Sequence, residues 1–318
     1  NIFDIADGAA ANDLLVSGNF ITTGGEAVTR TLIKLGAGTM NISGQYNIAK
    51  GIEVRTGKLI LSNADAKLAA TEISIHKDAI LTFKTTKTEG YNYGGILSAQ
   101  GVDATEAGTV ETAAGTKLAL SGNNSAFNGT LQIASNAALT LLGDMGAANL
   151  RGDGALLVQG GTTVISGNND GDSLFSGTIT ITNGTLRAGT DTALGNGDIN
   201  LQGGTLDLTD KALANKIIAT GGTISGNASA SIGDVVARRA FSTTGTLSVA
   251  SLSMDAGITV STANLTSSGG LTLGTGALLA TTGNLTLAEG TTISIDALNL
   301  TRDDASITVS GTLSVSGN

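Results

Sequence analysis

Apolar and polar residues alternate along most of the chain. In Thr178-Ile179-Thr180-Ile181, Asp198-Ile199-Asn200-Leu201 and Thr205-Leu206-Asp207-Leu208 every second side chain is apolar. That is the period of an extended strand with one buried face, not the 3.6-residue period of a helix. Each short run sits beside Gly or Asn, and the runs themselves recur. Ile179 returns as Ile199, Ile181 as Leu201 and Leu186 as Leu206, three columns sharing one shift of 20 residues. Gly-Thr-Leu begins at Gly129, Gly184, Gly204, Gly245 and Gly311, and Gly222-Thr223-Ile224 is a near copy. In the last third, Leu and Ile recur every 5 to 9 residues, so three steps again make about twenty.

A strand of three to five residues does not stand alone. Stacked on its copy from the previous turn, it gains a parallel ladder and buries its apolar columns. The pattern therefore predicts an all-β chain: a right-handed parallel β-helix (solenoid) of about 20 residues per turn with three faces, the hand following that of parallel crossovers. Composition agrees. There are 46 glycines for the corners, no proline, and only nine aromatic residues, six Phe and three Tyr. Proline removes a ladder donor and is excluded from central strands. A narrow core of Leu, Ile, Val and Ala has little room for large rings.

The periodicity supports one β-helix segment over residues 1–318, with no linker dividing it. Residues 84–114 are less regular. Lys84 to Gly94 is polar with two tyrosines, and Gln100 to Ala114 is small and acidic; together they read as an extruded loop or hairpin. Lys211 to Asn215 could form a helical turn. Raw strand edges at both ends of the repeat lead us to expect further rungs beyond them. The chain begins at Asn1 without a signal peptide, which reads as a mature or excised piece of a longer protein.

Net charge is −9, from 17 Lys and Arg against 26 Asp and Glu. This disfavours nucleic acid, which is bound through cationic side chains, and offers no basic patch for anionic lipid. No apolar run is long enough for a membrane-spanning helix. The absence of Cys removes disulfides and thiolate chemistry.

Residues 32–44, Leu32-Ile33-Lys34-Leu35-Gly36-Ala37-Gly38-Thr39-Met40-Asn41-Ile42-Ser43-Gly44, followed by Gly51-Ile52-Glu53-Val54-Arg55-Thr56-Gly57-Lys58-Leu59, resemble the passenger-associated repeat of bacterial autotransporter adhesins. Similar pieces recur from Gly115 to Leu131 and from Thr163 to Leu208. Thr192-Ala193-Leu194-Gly195-Asn196-Gly197 resembles that family's Ala-Leu-Gly-x-Gly element. The chain departs from the pattern where Met40 replaces Leu and where Gly51-Ile52 replaces Gly-x-Thr. The resemblance implies a secreted passenger at the bacterial cell surface, exported across the outer membrane and attached only through a C-terminal β-barrel outside this segment. It also implies adhesion or cell–cell aggregation as the usual task.

Catalytic, metal and cofactor sites find little support. Gly171-Asp172-Ser173-Leu174 matches one esterase nucleophile block, but that chemistry needs a downstream His, and the only His is His76. His76 reads as a solvated strand residue. Arg151-Gly152-Asp153 is a tripeptide used by some integrin ligands and is also ordinary turn chemistry. Asn168 to Asp172 offers oxygen ligands without the remaining positions of a calcium loop. Asp303-Asp304 beside Arg302, and Arg238-Arg239, read as solvated corners. No catalytic residue, metal ligand or cofactor is assigned.

Asn and Thr do recur. Ser43-Gly44-Gln45, Ser121-Gly122-Asn123, Ser166-Gly167-Asn168 and Ser225-Gly226-Asn227 occupy comparable corners. Stacked Asn and Thr can form hydrogen-bonded ladders that stabilise the solenoid. The same rows can instead form a long polar face on which many weak contacts add by avidity. The candidate binding residues are Tyr91, Tyr93, Asn123, Asn124, Asn168 and Asn169. The partner is a second copy or a host or surface receptor. Two other readings share the fold: a structural spacer presenting a distal domain, and a carbohydrate-active enzyme.

Overall fold

The computed structural model describes residues 2–21, 31–47, 51–63, 72–85, 87–100, 108–167, 175–227, 229–274, 277–288, 292–294, 297–300 and 307–309. Among these there is no helix, and every described strand pairing is parallel. The fold is a β-solenoid of parallel sheets with roughly 20 residues per turn. It divides into two compact units. The first comprises Asn1–Gly167 with Gly171–Ser176, and the second Asn168–Asp170 with Gly177–Asn318.

In the first unit, three sheets line the core. One inward column runs Met40, Leu59, Leu81, Val110, Leu131, all in register and at most 1% exposed. A second runs Leu32, Ile52, Ile73, Leu97, and a third runs Tyr93, Leu120, Leu141, Val158. Alternation places every one of these inward. From Met40 the steps are 19, 22, 29 and 21 residues.

The long step falls within residues 84–114, where an extruded loop or hairpin was expected. The structure corrects that expectation. Tyr91–Tyr93 pairs with Lys117–Leu120, and Leu97–Gln100 pairs with Glu72–His76. Both segments are rungs, and only residues 101–107 of the acidic stretch lie outside the described residues. The physical reason is the alternation Tyr91-Asn92-Tyr93, which sends both rings inward and the amide out. Their centroids lie 5.4 and 5.8 Å from that of Phe83.

Lys34 is also inward and fully buried. Its ammonium donates to the carbonyls of Leu35, Gly36 and Thr56 at 2.8, 2.7 and 3.1 Å. Three acceptors replace the water it gives up, which is what a buried charge requires.

In the second unit the 20-residue shift seen in the sequence is the ladder itself. Ile179 pairs with Ile199, Ile181 with Leu201 and Leu186 with Leu206. The Gly-Thr-Leu glycines stack at one corner. Gly184, Gly204 and Gly222 have φ of +76°, +64° and +81°, and a Cβ on Gly204 would lie 2.5 Å from the Gly184 carbonyl. Left-handed backbone and close rung spacing both demand glycine there. The third side of each turn is irregular at first. It then merges into the long strands Ser231–Ala237, Thr246–Met254 and Asn264–Leu273, which bend around a corner. Lys211 to Asn215 is not helical; Ala212 makes an isolated parallel bridge to Ser231.

Candidate interaction surface

Residues between the inward ones form the outer faces, and the two units differ there. In the first, two clusters of outer side chains are charged and joined across rungs. Arg55 on one rung and His76 on the next both contact Glu53. Arg55 Nε donates to Glu53 Oε1 at 2.8 Å, and Nη2 donates to Oε2 at 3.0 Å. His76 Nε2 lies 2.9 Å from Oε1. The Arg55 hydrogen bond, assisted by His76, holds the Glu53 carboxyl below the usual range. A second cluster joins three rungs: Lys58 Nζ and Thr82 Oγ1 donate to Glu111 Oε2 at 2.6 and 2.7 Å. Burial pushes the Glu111 carboxyl up, but these two donors outweigh it and the net shift is downward. His76, expected to be a solvated strand residue, is thus half-buried and in contact with a carboxylate.

The second unit carries hydroxyl rows. On one sheet, Thr185, Thr205, Thr223, Ser242 and Ser261 stand in register on five successive rungs. The Thr223 and Ser242 hydroxyls are 3.0 Å apart, within hydrogen-bond distance. On another, Ser231, Ser248, Thr266 and Thr286 form a second row. It borders a shallow groove with Leu213, Gly233 and Ala250 at the bend. Neither row contains a charge. Beside the first row, Arg187 Nε donates to Asp207 Oδ2 at 2.7 Å across adjacent rungs.

The expected binding residues separate. Tyr91 and Tyr93 are 6% and 0% exposed and belong to the core, not to a surface loop. The Tyr93 hydroxyl donates to the Ile96 carbonyl at 3.2 Å, and burial pushes its ionisation well up. Asn124 is 1% exposed and acts as an internal strut. Its Oδ1 accepts from the Leu97 amide at 2.7 Å, and its Nδ2 donates to the Gly122 carbonyl at 3.1 Å. Neither tyrosine nor Asn124 can meet a partner without leaving the core. Asn123 is exposed, with its Oδ1 accepting from the Ser125 amide at 3.0 Å. Asn227 repeats that turn with Ser229 at 3.0 Å, so the Ser-Gly-Asn corners at Asn123 and Asn227 are Asx turns. Asn168 and Asn169 lie outside the described residues, as do the Gly171–Leu174 block, the calcium-like stretch and residues 302–304.

Arg151-Gly152-Asp153 sits at the end of a strand, with Gln132 beside Arg151. Both oxygens of the Asp153 carboxylate accept from Ser135 Oγ, at 2.9 and 2.6 Å. Arg238 and Arg239 are exposed at a corner. Among the described residues no cluster of three His, Asp or Glu is placed to hold a metal ion. No helix of the described residues is long and apolar enough to cross a membrane.

What sequence reasoning missed is the alternation around the tyrosines and the direction of Lys34. The hydroxyl rows were legible in part, because Thr130, Thr185, Thr205 and Thr246, the described Thr residues of the Gly-Thr-Leu copies, fall on outer columns. No family model, curated protein or solved structure matches this chain. The fold defines its class, a parallel β-solenoid, and the assignment rests there.

Proposed function

We propose that the chain is a surface-exposed adhesive segment that associates side by side with a second copy through the hydroxyl rows of its second unit. The supporting observation is the five-rung row Thr185–Thr205–Thr223–Ser242–Ser261, uncharged and continuous. Short hydroxyls lose little rotamer entropy on contact and carry no charge to desolvate. Each donates and accepts, so the same row can face itself. Individual contacts are weak, but a row repeated at rung spacing engages many together. The resemblance to autotransporter passengers supports the same task at a bacterial cell surface.

Sedimentation velocity over a wide concentration range tests this. The wild-type protein is expected to show a reversible dimer. Replacing Thr205, Thr223 and Ser242 by Lys places like charges in the row and is expected to abolish the dimer while the circular dichroism stays unchanged. A monomer at every concentration would defeat self-association and leave the spacer reading. A dimer indifferent to the three lysines would move the interface elsewhere.

A further inference from the structure

The two Asx-turn corners share more than a hydrogen bond. Ser121-Gly122-Asn123-Asn124-Ser125 and Ser225-Gly226-Asn227-Ala228-Ser229 both read Ser-Gly-Asn-x-Ser, one in each unit. Asn-x-Ser/Thr without a central proline is the acceptor triplet for N-linked sugar. A third corner of the series, Ser166-Gly167-Asn168-Asn169-Asp170, has Asp in place of the second hydroxyl and is not such a triplet.

Eight triplets of this form occur in the chain, so the triplet alone selects nothing. The structure does. Asn123, Ser125, Asn227 and Ser229 are all exposed and stand outside the strands. Elsewhere the asparagine oxygen is occupied or the hydroxyl is held in a ladder. Asn41 Oδ1 accepts from Ser62 Oγ at 2.7 Å, and Asn264 Oδ1 from the Asn284 amide at 2.9 Å. Thr130, Thr185 and Thr286, which complete the triplets of Asn128, Asn183 and Asn284, are half-buried strand residues. Lifting them into a transferase would break their parallel pairing. The eighth triplet, at Asn299, ends on Thr301, outside the described residues.

At the two exposed corners the turn also prepares the chemistry. Each Oδ1 accepts from the backbone amide of the triplet's own serine at 3.0 Å, and neither side chain forms another hydrogen bond among the described residues. Accepting that bond draws electron density toward the oxygen and makes the Nδ2 protons easier to remove. We infer that Asn123 and Asn227 are acceptor sites for an N-linked sugar, delivered from a glycosyl diphosphate by a transferase that reads the exposed Asn-x-Ser corner. Nδ2 attacks the anomeric carbon, forming the N–C bond as the C–O bond to the diphosphate breaks. The diphosphate leaves with the electron pair, one Nδ2 proton passes to a base of the transferase, and nothing is oxidised or reduced.

Peptide mass spectrometry on the full protein, isolated from the cells that produce it, tests this. Peptides carrying Asn123 and Asn227 are expected to be heavier by whole sugar residues. They are expected to keep that mass through mild alkaline elimination, which removes sugar from Ser and Thr. A single sugar assigns a nucleotide-linked donor and a preassembled oligosaccharide a lipid-linked one; either supports the inference. Ser125→Ala and Ser229→Ala retain the backbone amide that makes the turn and remove only the hydroxyl. Each is expected to lose the sugar at its own site, whereas Ser125→Thr keeps it. Unmodified mass at both corners would overturn the inference, as would sugar released by alkali, or equal occupancy of Asn41 and Asn264. Neither asparagine belongs to the hydroxyl rows, so the result is independent of the lateral association proposed above.

Discussion

The outer faces of the first unit carry charge that is already satisfied: Glu53 by Arg55 and His76, and Glu111 by Lys58 and Thr82. The second unit's rows carry hydroxyls with almost no partners of their own beyond Thr223 and Ser242. The cores differ in a related way. The first holds Phe83, Tyr91, Tyr93, Phe127 and Phe175, together with a lysine closed off by three carbonyls. The second has one buried ring among the described residues, Phe241, amid Leu, Ile and Val, and one of its columns passes from Leu206 and Ile224 to Thr243, Thr262 and Thr281. One backbone ladder thus supports two economies of polar groups. Where side chains satisfy one another across rungs, the face is closed to partners. Where they are short and unpaired, it remains open to them.

The largest test of this contrast is Tyr93. As a core residue beside Phe83, its replacement by Ala is expected to cost about 4 kcal/mol of unfolding free energy, measured by urea denaturation. Tyr93→Phe keeps the ring and removes the hydroxyl, which bonds the Ile96 carbonyl and the Ile73 backbone, and is expected to cost about 1 kcal/mol. A surface tyrosine that touched a receptor would show the opposite behaviour, with unchanged stability and lost binding. Leu206→Ala is the matching lesion in the second unit, expected at about 3 kcal/mol. A much smaller loss there would mean that the second core is loosely packed.

How far the sequence reaches can be judged from the same residues. Ile179, Ile199, Leu186 and Leu206 announce fold and register together, because a β-ladder is a strict repeat and a strict repeat is visible. Tyr91 and Tyr93 were hidden by their polar neighbours. The period-two alternation was present, but over three residues, bracketed by glycines and charges, it is indistinguishable from a loop. Lys34 sits on an inward column at a place where composition points outward. Its burial depends on carbonyls of Leu35, Gly36 and Thr56, and Thr56 belongs to the next rung. Asn123 and Asn124 are neighbours of one type, yet one is solvent-exposed and the other is a strut. Only the register of Leu97 against that corner decides which.

Lys34 provides the next test. Burial lowers its ionisation below the ordinary 10.5, and nearby Asp4 and Asp13 pull the other way without cancelling the effect. Between the lowered native value and 10.5 the unfolded chain binds more protons than the folded one. Stability attributable to this group therefore rises with pH across that window. Lys34→Met is expected to remove that rise. At neutral pH it is expected to cost about 2 kcal/mol, because three carbonyls lose their donor. Denaturation at neutral pH and at mildly alkaline pH checks both. A slope that survives the substitution would assign it to another group.

The smallest test concerns the inward threonines. Thr262 is 3% exposed and its hydroxyl has no hydrogen-bond partner, and the same holds for Thr243 at 7%. An unpaired buried hydroxyl carries a desolvation cost that an isosteric methyl does not. Thr262→Val is therefore expected to stabilise the protein by about 1 kcal/mol, read as a raised denaturation midpoint at constant slope. The outward Thr223→Val is the control. It exchanges a half-buried outward hydroxyl that touches Ser242 and is expected to change stability by less than about 0.5 kcal/mol. If Thr262→Val destabilises instead, the hydroxyl is satisfied within the column. If it stabilises, the second unit tolerates unpaired hydroxyls on its inner column while displaying them on its outer one. The open outer face would then belong to a wider rule in that unit, in which short polar side chains are placed by the repeat and not by their partners.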